Sequence, residues 1–311
     1  ISNNSEVSLV GGNNIYKVTI TSTDQTVTKE YKINIKVKQA VPLKDEIMKN
    51  TLVTANPTLT TSSNNTNDAS GLYKSTATNT GEPTYYFRGN VTNNYVSFAD
   101  QTWRIVRVNE DGTIRIVMQD GINNNSEYAF NSNYNNYTYM YYTNSEAKTT
   151  LENWYQTNIG SKSNLAKNVA SGSYYCEQAK VRSYDGATSE SATMTTYNKY
   201  TPDFKCSSDG NGKGLVNASV GLLTYDEVVY AGGYPFSSNS NYYLYNITSF
   251  WTMSPAGFSS SLSTVWYVFT TGYIRNYRVD DAGIVRPVLN LTADTQISDG
   301  DGTINSPFVV E

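Results

Sequence analysis

Apolar and polar residues alternate over the first 39 positions, and a period of two marks a half-buried strand. Val7-Ser8-Leu9-Val10 leads into a Gly11-Gly12-Asn13-Asn14 turn, Tyr16 to Ile20 follows, and after an Asp24-Gln25 turn comes Tyr31 to Val37. The pattern predicts three antiparallel strands joined by hairpins. Three short strands expose their edges and half a core. Residues 1–39 therefore read as the later part of a β-sandwich. Because Ile1 stands inside the pattern, the chain is expected to be a piece of a larger exported protein. Ala40-Val41-Pro42 reads as a junction that opens a linker over 40–70. That linker holds one short helix, Leu43 to Asn50, with Leu43, Ile47 and Met48 on one face, followed by a Thr/Ser/Asn-rich loop.

From Gly71 onward the pattern changes. Tyr85 to Arg88 and Tyr95 to Phe98 are short strand-like runs. Trp103 to Val108 and Thr113 to Met118 predict a hairpin, with Asn109-Glu110-Asp111-Gly112 as its turn and Gly112 free to take positive φ. Residues 123–144 read as an Asn/Tyr-rich loop. Ser145 caps an expected helix through Leu151, Trp154 and Tyr155 that ends near Gly160. Thr224 and Glu227 form a capping box ahead of Val228, Val229 and Tyr230, and Gly232-Gly233 ends that helix. Strand-like runs close the chain at 251–253, 265–269, 273–277 and 285–291. The expected class over 71–311 is α+β, with many short antiparallel strands and few helices.

Composition narrows the chemistry. Only 16 % of the 311 residues are charged and the formal net charge is −4, so no basic field exists for nucleic acid. There is no histidine, which removes the commonest general base and metal ligand. No apolar run is long enough to span a bilayer, so direct membrane insertion of this chain is not expected. The two cysteines, Cys176 and Cys206, point to one disulfide in an oxidising compartment, with a pair of buried free thiols as the alternative. A disulfide there would contribute about 3–4 kcal/mol in the chain-entropy model.

Several motifs carry two readings. Asp299-Gly300-Asp301-Gly302-Thr303 has the alternating carboxylates of a calcium loop, or is a Gly-rich turn before the last strand. Asp299 and Asp301 are the candidate calcium ligands, and no other cofactor is expected. Asp226 and Glu227 could be a glycosidase pair, but adjacent positions on a helix point apart and Glu227 is accounted for by the cap. Ser254 lacks the context of a nucleophile. Arg286 lies in an apolar strand, where it is expected to meet a carboxylate. Tyr is the compositional outlier at 27 residues. Tyr267, Phe269, Tyr273, Arg275, Asn276, Tyr277 and Arg278 are the candidate ligand-binding residues, because strands can present one aromatic and Arg-rich face to a partner.

An ordered set of motifs carries a resemblance. It runs through Gly71-Leu72-Tyr73-Lys74, the hairpin Thr102 to Gly112, Val220 to Glu227 and Trp251-Thr252-Met253-Ser254-Pro255. It continues with Gly283 to Leu291, Asp299 to Thr303 and Pro307-Phe308-Val309-Val310. Residues 71–311 resemble a domain of unknown function from surface proteins of Gram-positive gut bacteria. That family is similar to the C-type-lectin-like and formylglycine-generating-enzyme-like folds. Residues 1–39 resemble part of a cadherin-like or immunoglobulin-like sandwich repeat. The resemblance implies an extracellular, cell-surface adhesion or ligand-binding module rather than an enzyme. Its expected partners are a host or neighbouring-cell surface protein or glycan, and adjacent domains of the same protein. The alternatives are a structural stalk or spacer and, further off, a carboxylate-dependent glycosidase. The Glu-Pro-Asn and Gln-Pro-Asp triplets of calcium-dependent lectins are missing.

Overall fold

The computed structural model describes residues 9–10, 12–37, 39–59, 68–177, 202–206, 214–235, 237–259 and 261–311. Strands β1 (Gly12–Thr21) and β2 (Thr28–Val37) form a ten-pair antiparallel ribbon. The first expected strand begins outside the described residues, and β1 starts inside the expected Gly-Asn turn. Asn14 holds that start by accepting from the Val10 N–H and donating to its carbonyl. At the other end Asp24 accepts from the Ser22 hydroxyl and from the Thr26 N–H and hydroxyl. These bonds, the Ser22 hydroxyl first, lower the Asp24 carboxyl to about 2. Period-two alternation puts Tyr16, Val18, Ile20, Tyr31, Ile33 and Ile35 on one face of the ribbon, and Val18, Tyr31 and Ile33 are 41 %, 50 % and 46 % exposed.

The stretch expected as a linker takes part in the main sheet. Strand β3 (Val41–Pro42) pairs with a C-terminal strand, and helix α1 (Leu43–Met48) buries Leu43 and Ile47 completely. The body then runs through β4 (Gly71–Ser75), β5 (Thr84–Arg88), β6 (Tyr95–Phe98), β7 (Gln101–Val108) and β8 (Ile114–Met118). After β9 (Glu127–Ala129) comes helix α2 (Glu146–Tyr155), which Ser145 caps by accepting from the Lys148 N–H. Strands β10 (Tyr174–Cys176) and β11 (Leu215–Asn217) precede helix α3 (Tyr225–Ala231). The chain ends with β12 (Tyr234–Pro235), β13 (Phe250–Ser259), β14 (Leu262–Val268), β15 (Tyr273–Arg278), β16 (Ala282–Ile284), β17 (Val288–Leu291), β18 (Gln296–Asp299) and β19 (Phe308–Val310).

Two sheets organise the body, and the class is α+β with strands dominant. The nine-stranded sheet has the order β17-β8-β7-β6-β19-β18-β3, with β5 branching from β7 and β4 beyond it. The six-stranded sheet has the order β12-β15-β14-β13-β16-β9. Pairing is mostly antiparallel, but β19 lies parallel to β6, β12 to β15 and β16 to β13. The predicted hairpin is β7–β8, and its turn closes through Gly112 at φ 86°. Trp103, Trp251 and Trp266 are fully buried in the shared core. The expected loop over 123–144 also feeds that core, because Met140, Tyr141 and Tyr142 have no exposed surface.

Buried arginines tie the irregular connections together. Arg88 meets Asp68 at 2.6 Å and donates to the Thr58, Val229 and Tyr230 carbonyls. Arg104 donates to Asn94 and to the Val91 carbonyl and lies 3.8 Å over the Tyr95 ring. Arg286, expected to meet a carboxylate, donates instead to the Met118 and Leu244 carbonyls and stacks 4.8 Å over Phe250. A guanidinium carries five donors in a fixed fork, so backbone carbonyls can take its Nε and Nη1 as a carboxylate would, while Nη2 is buried without a hydrogen bond among the described residues. Burial pushes this guanidinium down to about 10.

Candidate functional site

Two places on the body combine accessibility with organised side chains. The first is the aromatic face of β14 and β15. These strands pair so that Tyr267 lies opposite Arg275 and Val265 opposite Tyr277. Alternation then puts Tyr267, Tyr273, Arg275 and Tyr277 on one side, with Phe269 just past the end of β14. Tyr267 and Tyr277 stack at 4.8 Å and 28°, and Phe269 meets both edge-on at 4.9 and 5.2 Å. Tyr273 continues the series 5.9 Å from Phe269, and Trp251 backs it 4.6 Å from Tyr267. The cluster runs from buried to open: Trp251 and Tyr267 are sealed, Phe269, Tyr273 and Tyr277 are half-buried, and Arg275 is exposed.

The seven expected residues therefore divide. Phe269, Tyr273, Arg275 and Tyr277 form one accessible surface. Tyr267 is its foundation: the phenol donates to the Ala282 carbonyl at 3.0 Å, and burial pushes it up to about 12. Gly283 makes room for that ring, since a Cβ there would stand 2.5 Å from Tyr267 Cε2. Asn276 lies opposite Trp266 in the register and so faces the other side. Arg278 pairs with Asp280 at 2.5 Å and lies 4.8 Å over the Tyr134 ring.

The second place includes Asp226 and Glu227, the pair weighed above for glycoside cleavage, together with arginines that the pattern does not single out. It is a cavity of about 340 Å³ on one face of the nine-stranded sheet. A bulge in β7 between Ile105 and Arg107 returns Arg107 to the face that carries Arg104. Arg107 then lies opposite Arg115 on β8, and Arg115 opposite Asn290 on β17. Two like charges directly across a pair repel. Glu227, from the first turn of α3, stands against both, 2.5 Å from Arg115 and 3.4 Å from Arg107. Each guanidinium also lies over a ring, Arg107 4.8 Å over Phe204 and Arg115 4.8 Å over Tyr175.

The predicted local motifs assemble this cavity. The Thr224–Glu227 capping box forms in full, and Gly232 ends the helix at φ 116°. The cap positions Glu227, whose second oxygen accepts from the Thr224 N–H at 2.9 Å. Cys176 and Cys206 form the disulfide, with 5.7 Å between their Cα atoms, and both line the cavity. Gly221 is required beneath Tyr175, since a Cβ there would stand 2.4 Å from the ring. The signal that could have revealed the site was Arg104, Arg107 and Arg115 inside an apolar hairpin, the argument that singled out Arg286.

The remaining candidates have local roles. Asp301 accepts from the Thr303 N–H and hydroxyl, which lowers its carboxyl, and Asp299 pairs along β18 with Val309. Among the described residues no group of three or more His, Cys, Asp or Glu is placed to hold a metal ion. Ser254 is fully buried and accepts from the Tyr225 N–H. No described helix is long and apolar enough to cross a membrane. No family model, curated protein or solved structure matches the chain.

Proposed function

We propose that this chain is an adhesion or ligand-binding module of an exported, cell-surface protein, and that residues 71–311 form a C-type-lectin-like domain. The accessible aromatic surface on β14 and β15 carries this reading. Rings fixed by stacking lose little side-chain entropy on contact, and Arg275 adds a charged donor at the edge. The Cys176–Cys206 disulfide supports an oxidising, extracellular setting. The partner on this reading is a host or neighbouring-cell surface protein or a glycan. The test is a paired glycan and surface-protein array, probed with the wild-type chain and with a Phe269→Ala/Tyr273→Ala/Tyr277→Ala variant. Selective binding that the triple variant loses supports the proposal. Binding that survives in the triple variant removes the aromatic surface from it.

A second reading, a stalk or spacer unit, draws on the β1–β2 ribbon. Its apolar face is exposed, and no other described strand pairs with either edge. Both features suit end-to-end packing in an array. A third reading, glycoside cleavage by Asp226 and Glu227, has less support. Both Glu227 oxygens are already engaged, one by two arginines and the other by the Thr224 N–H.

A further inference from the structure

We propose that the interior beside Arg286 binds a small monovalent anion of the halide class, at a site separate from the aromatic surface of β14 and β15. Its donors are Nη2 of Arg286 and the hydroxyls of Tyr242 and Tyr243, residues that are 1 %, 2 % and 3 % exposed. All three atoms are sealed from solvent and meet no hydrogen-bond acceptor among the described residues. A sealed donor without an acceptor forfeits the bond it made with water, and native interiors keep such groups rare unless a water or an ion completes them.

The surrounding contacts put these donors in one region. Arg286 donates from Nε to the Met118 carbonyl at 3.0 Å and from Nη1 to the Leu244 carbonyl at 2.9 Å. Arg104 reaches the adjacent carbonyl, that of Tyr243, at 3.4 Å and the Gln119 side chain at 3.5 Å. Both guanidiniums therefore lean on the same two stretches, 118–119 and 243–244. Arg286 lies 4.8 Å over Phe250, and Arg104 5.2 Å over Tyr243. Burial is the main influence on Arg286 and Tyr242, and after it each is the other's strongest electrostatic neighbour. Tyr243, after burial, feels Arg104, Glu227 and Arg286 in that order.

Charge favours an anion. The ion pairs of arginines among the described residues belong to Arg88, Arg107, Arg115 and Arg278, so neither Arg104 nor Arg286 has a carboxylate against it there. Asp120, which Arg286 feels, is exposed and acts from a distance, and Glu227 is held by Arg107 and Arg115. Burial lowers the Arg286 guanidinium only to about 10 and raises both phenols. At neutral pH the group is thus one charged and two neutral donors.

Hydrogen count points the same way. A water would bring two hydrogens of its own, and the carbonyls beside Arg286, at 118 and 244, already accept from it. A halide brings none, accepts from all three donors and offsets a buried charge that lacks a partner. Phosphate or sulfate carries four oxygens and a larger desolvation cost, which three donors do not repay. The bound ion ties the 242–244 stretch to the end of β8 and the approach to β17. The neighbouring Tyr245 donates to the Thr270 carbonyl, next to Phe269.

The test is thermal unfolding of the disulfide-intact chain at fixed ionic strength, with sodium chloride or bromide replacing sodium gluconate. The midpoint is expected to rise by about 2 °C or more in either halide. Tyr242→Phe keeps the ring, removes one donor and is expected to lose most of that rise. Tyr142→Phe removes a buried phenol already satisfied by the Val220 carbonyl and is expected to keep it, which separates a site from a general salt effect. Crystals grown in bromide should show anomalous scattering beside Arg286 Nη2 and the Tyr242 hydroxyl. An unchanged midpoint in halide, an equal rise in Tyr242→Phe, a water in place of bromide at these donors, or bromide at the surface alone (an adventitious ion only) overturns the proposal.

Discussion

Replacing Glu227 by Gln removes one negative charge from between two arginines and leaves the shape of the site almost unchanged. Glu227 and Arg115 each keep 2 % of their side-chain surface exposed, and Arg107 keeps 14 %. The two guanidiniums are direct neighbours across the β7–β8 ladder. Without the carboxylate they repel each other in a poorly solvated place, and breaking a buried pair costs about 3–5 kcal/mol. Gln still serves at the third position of a capping box, so the helix end itself is spared. Glu227→Ala also removes the cap partner, adding about 1 kcal/mol. Urea denaturation read by far-UV circular dichroism measures both. With a slope of about 1–3 kcal/mol/M, the midpoint of Glu227→Gln is expected to fall by about 1 M or more. Arg107→Met/Glu227→Gln should recover part of that loss, because one unpaired guanidinium repels nothing. A Gln variant within about 0.5 kcal/mol of the wild type, the usual scale of a surface substitution, would refute this account of the row.

Reducing the Cys176–Cys206 bond should lower stability by about 3.5 kcal/mol in the chain-entropy model, seen as a lower denaturation midpoint. Free thiols in the air-exposed native protein, detected by alkylation and mass analysis, would contradict the bond. Gly221→Ala pushes a methyl into the Tyr175 ring and is expected to cost about 1–3 kcal/mol as an overpacked site, whereas Gly172→Ala, with nothing within 4 Å of the added carbon, tests positive φ alone. Alkaline titration followed by phenolate absorbance should show Tyr230 and Tyr267 ionising late, since burial raises both to about 12. Because their folded values exceed the ordinary value of 10.0, the stability they contribute is complete below pH 10 and is lost as pH rises toward 12. Tyr267→Phe should remove one late-ionising phenol without moving that of Tyr230.

Local motifs were determined by the sequence alone wherever a short stretch contains its own hydrogen-bond partners. The Thr224–Glu227 box, the Ser145 cap, the Gly232 stop and the β7–β8 hairpin with Gly112 all close within a few residues. Pattern therefore reached them. The disulfide was legible from the even cysteine count, and the fold brings Cys176 and Cys206 within bonding reach across 30 residues of chain. Other features depend on chain segments far apart in sequence. Val41 and Pro42 read as a junction because two residues carry no period, yet β18 recruits them as the edge strand of the sheet. Asn290 meets Arg115 only because β17 joins the sheet beside β8, across 175 residues of chain. Arg286 looked like half of an ion pair, but its partners are carbonyls at 118 and 244, which no side-chain pattern encodes. The aromatic series at 267–277 was visible as a list of residue types. Which rings are foundation and which are surface was decided by how β13 and β16 extend the same sheet beyond β14, bringing Trp251 and the Ala282 carbonyl to Tyr267, since burial belongs to the assembled sheet rather than to any one strand.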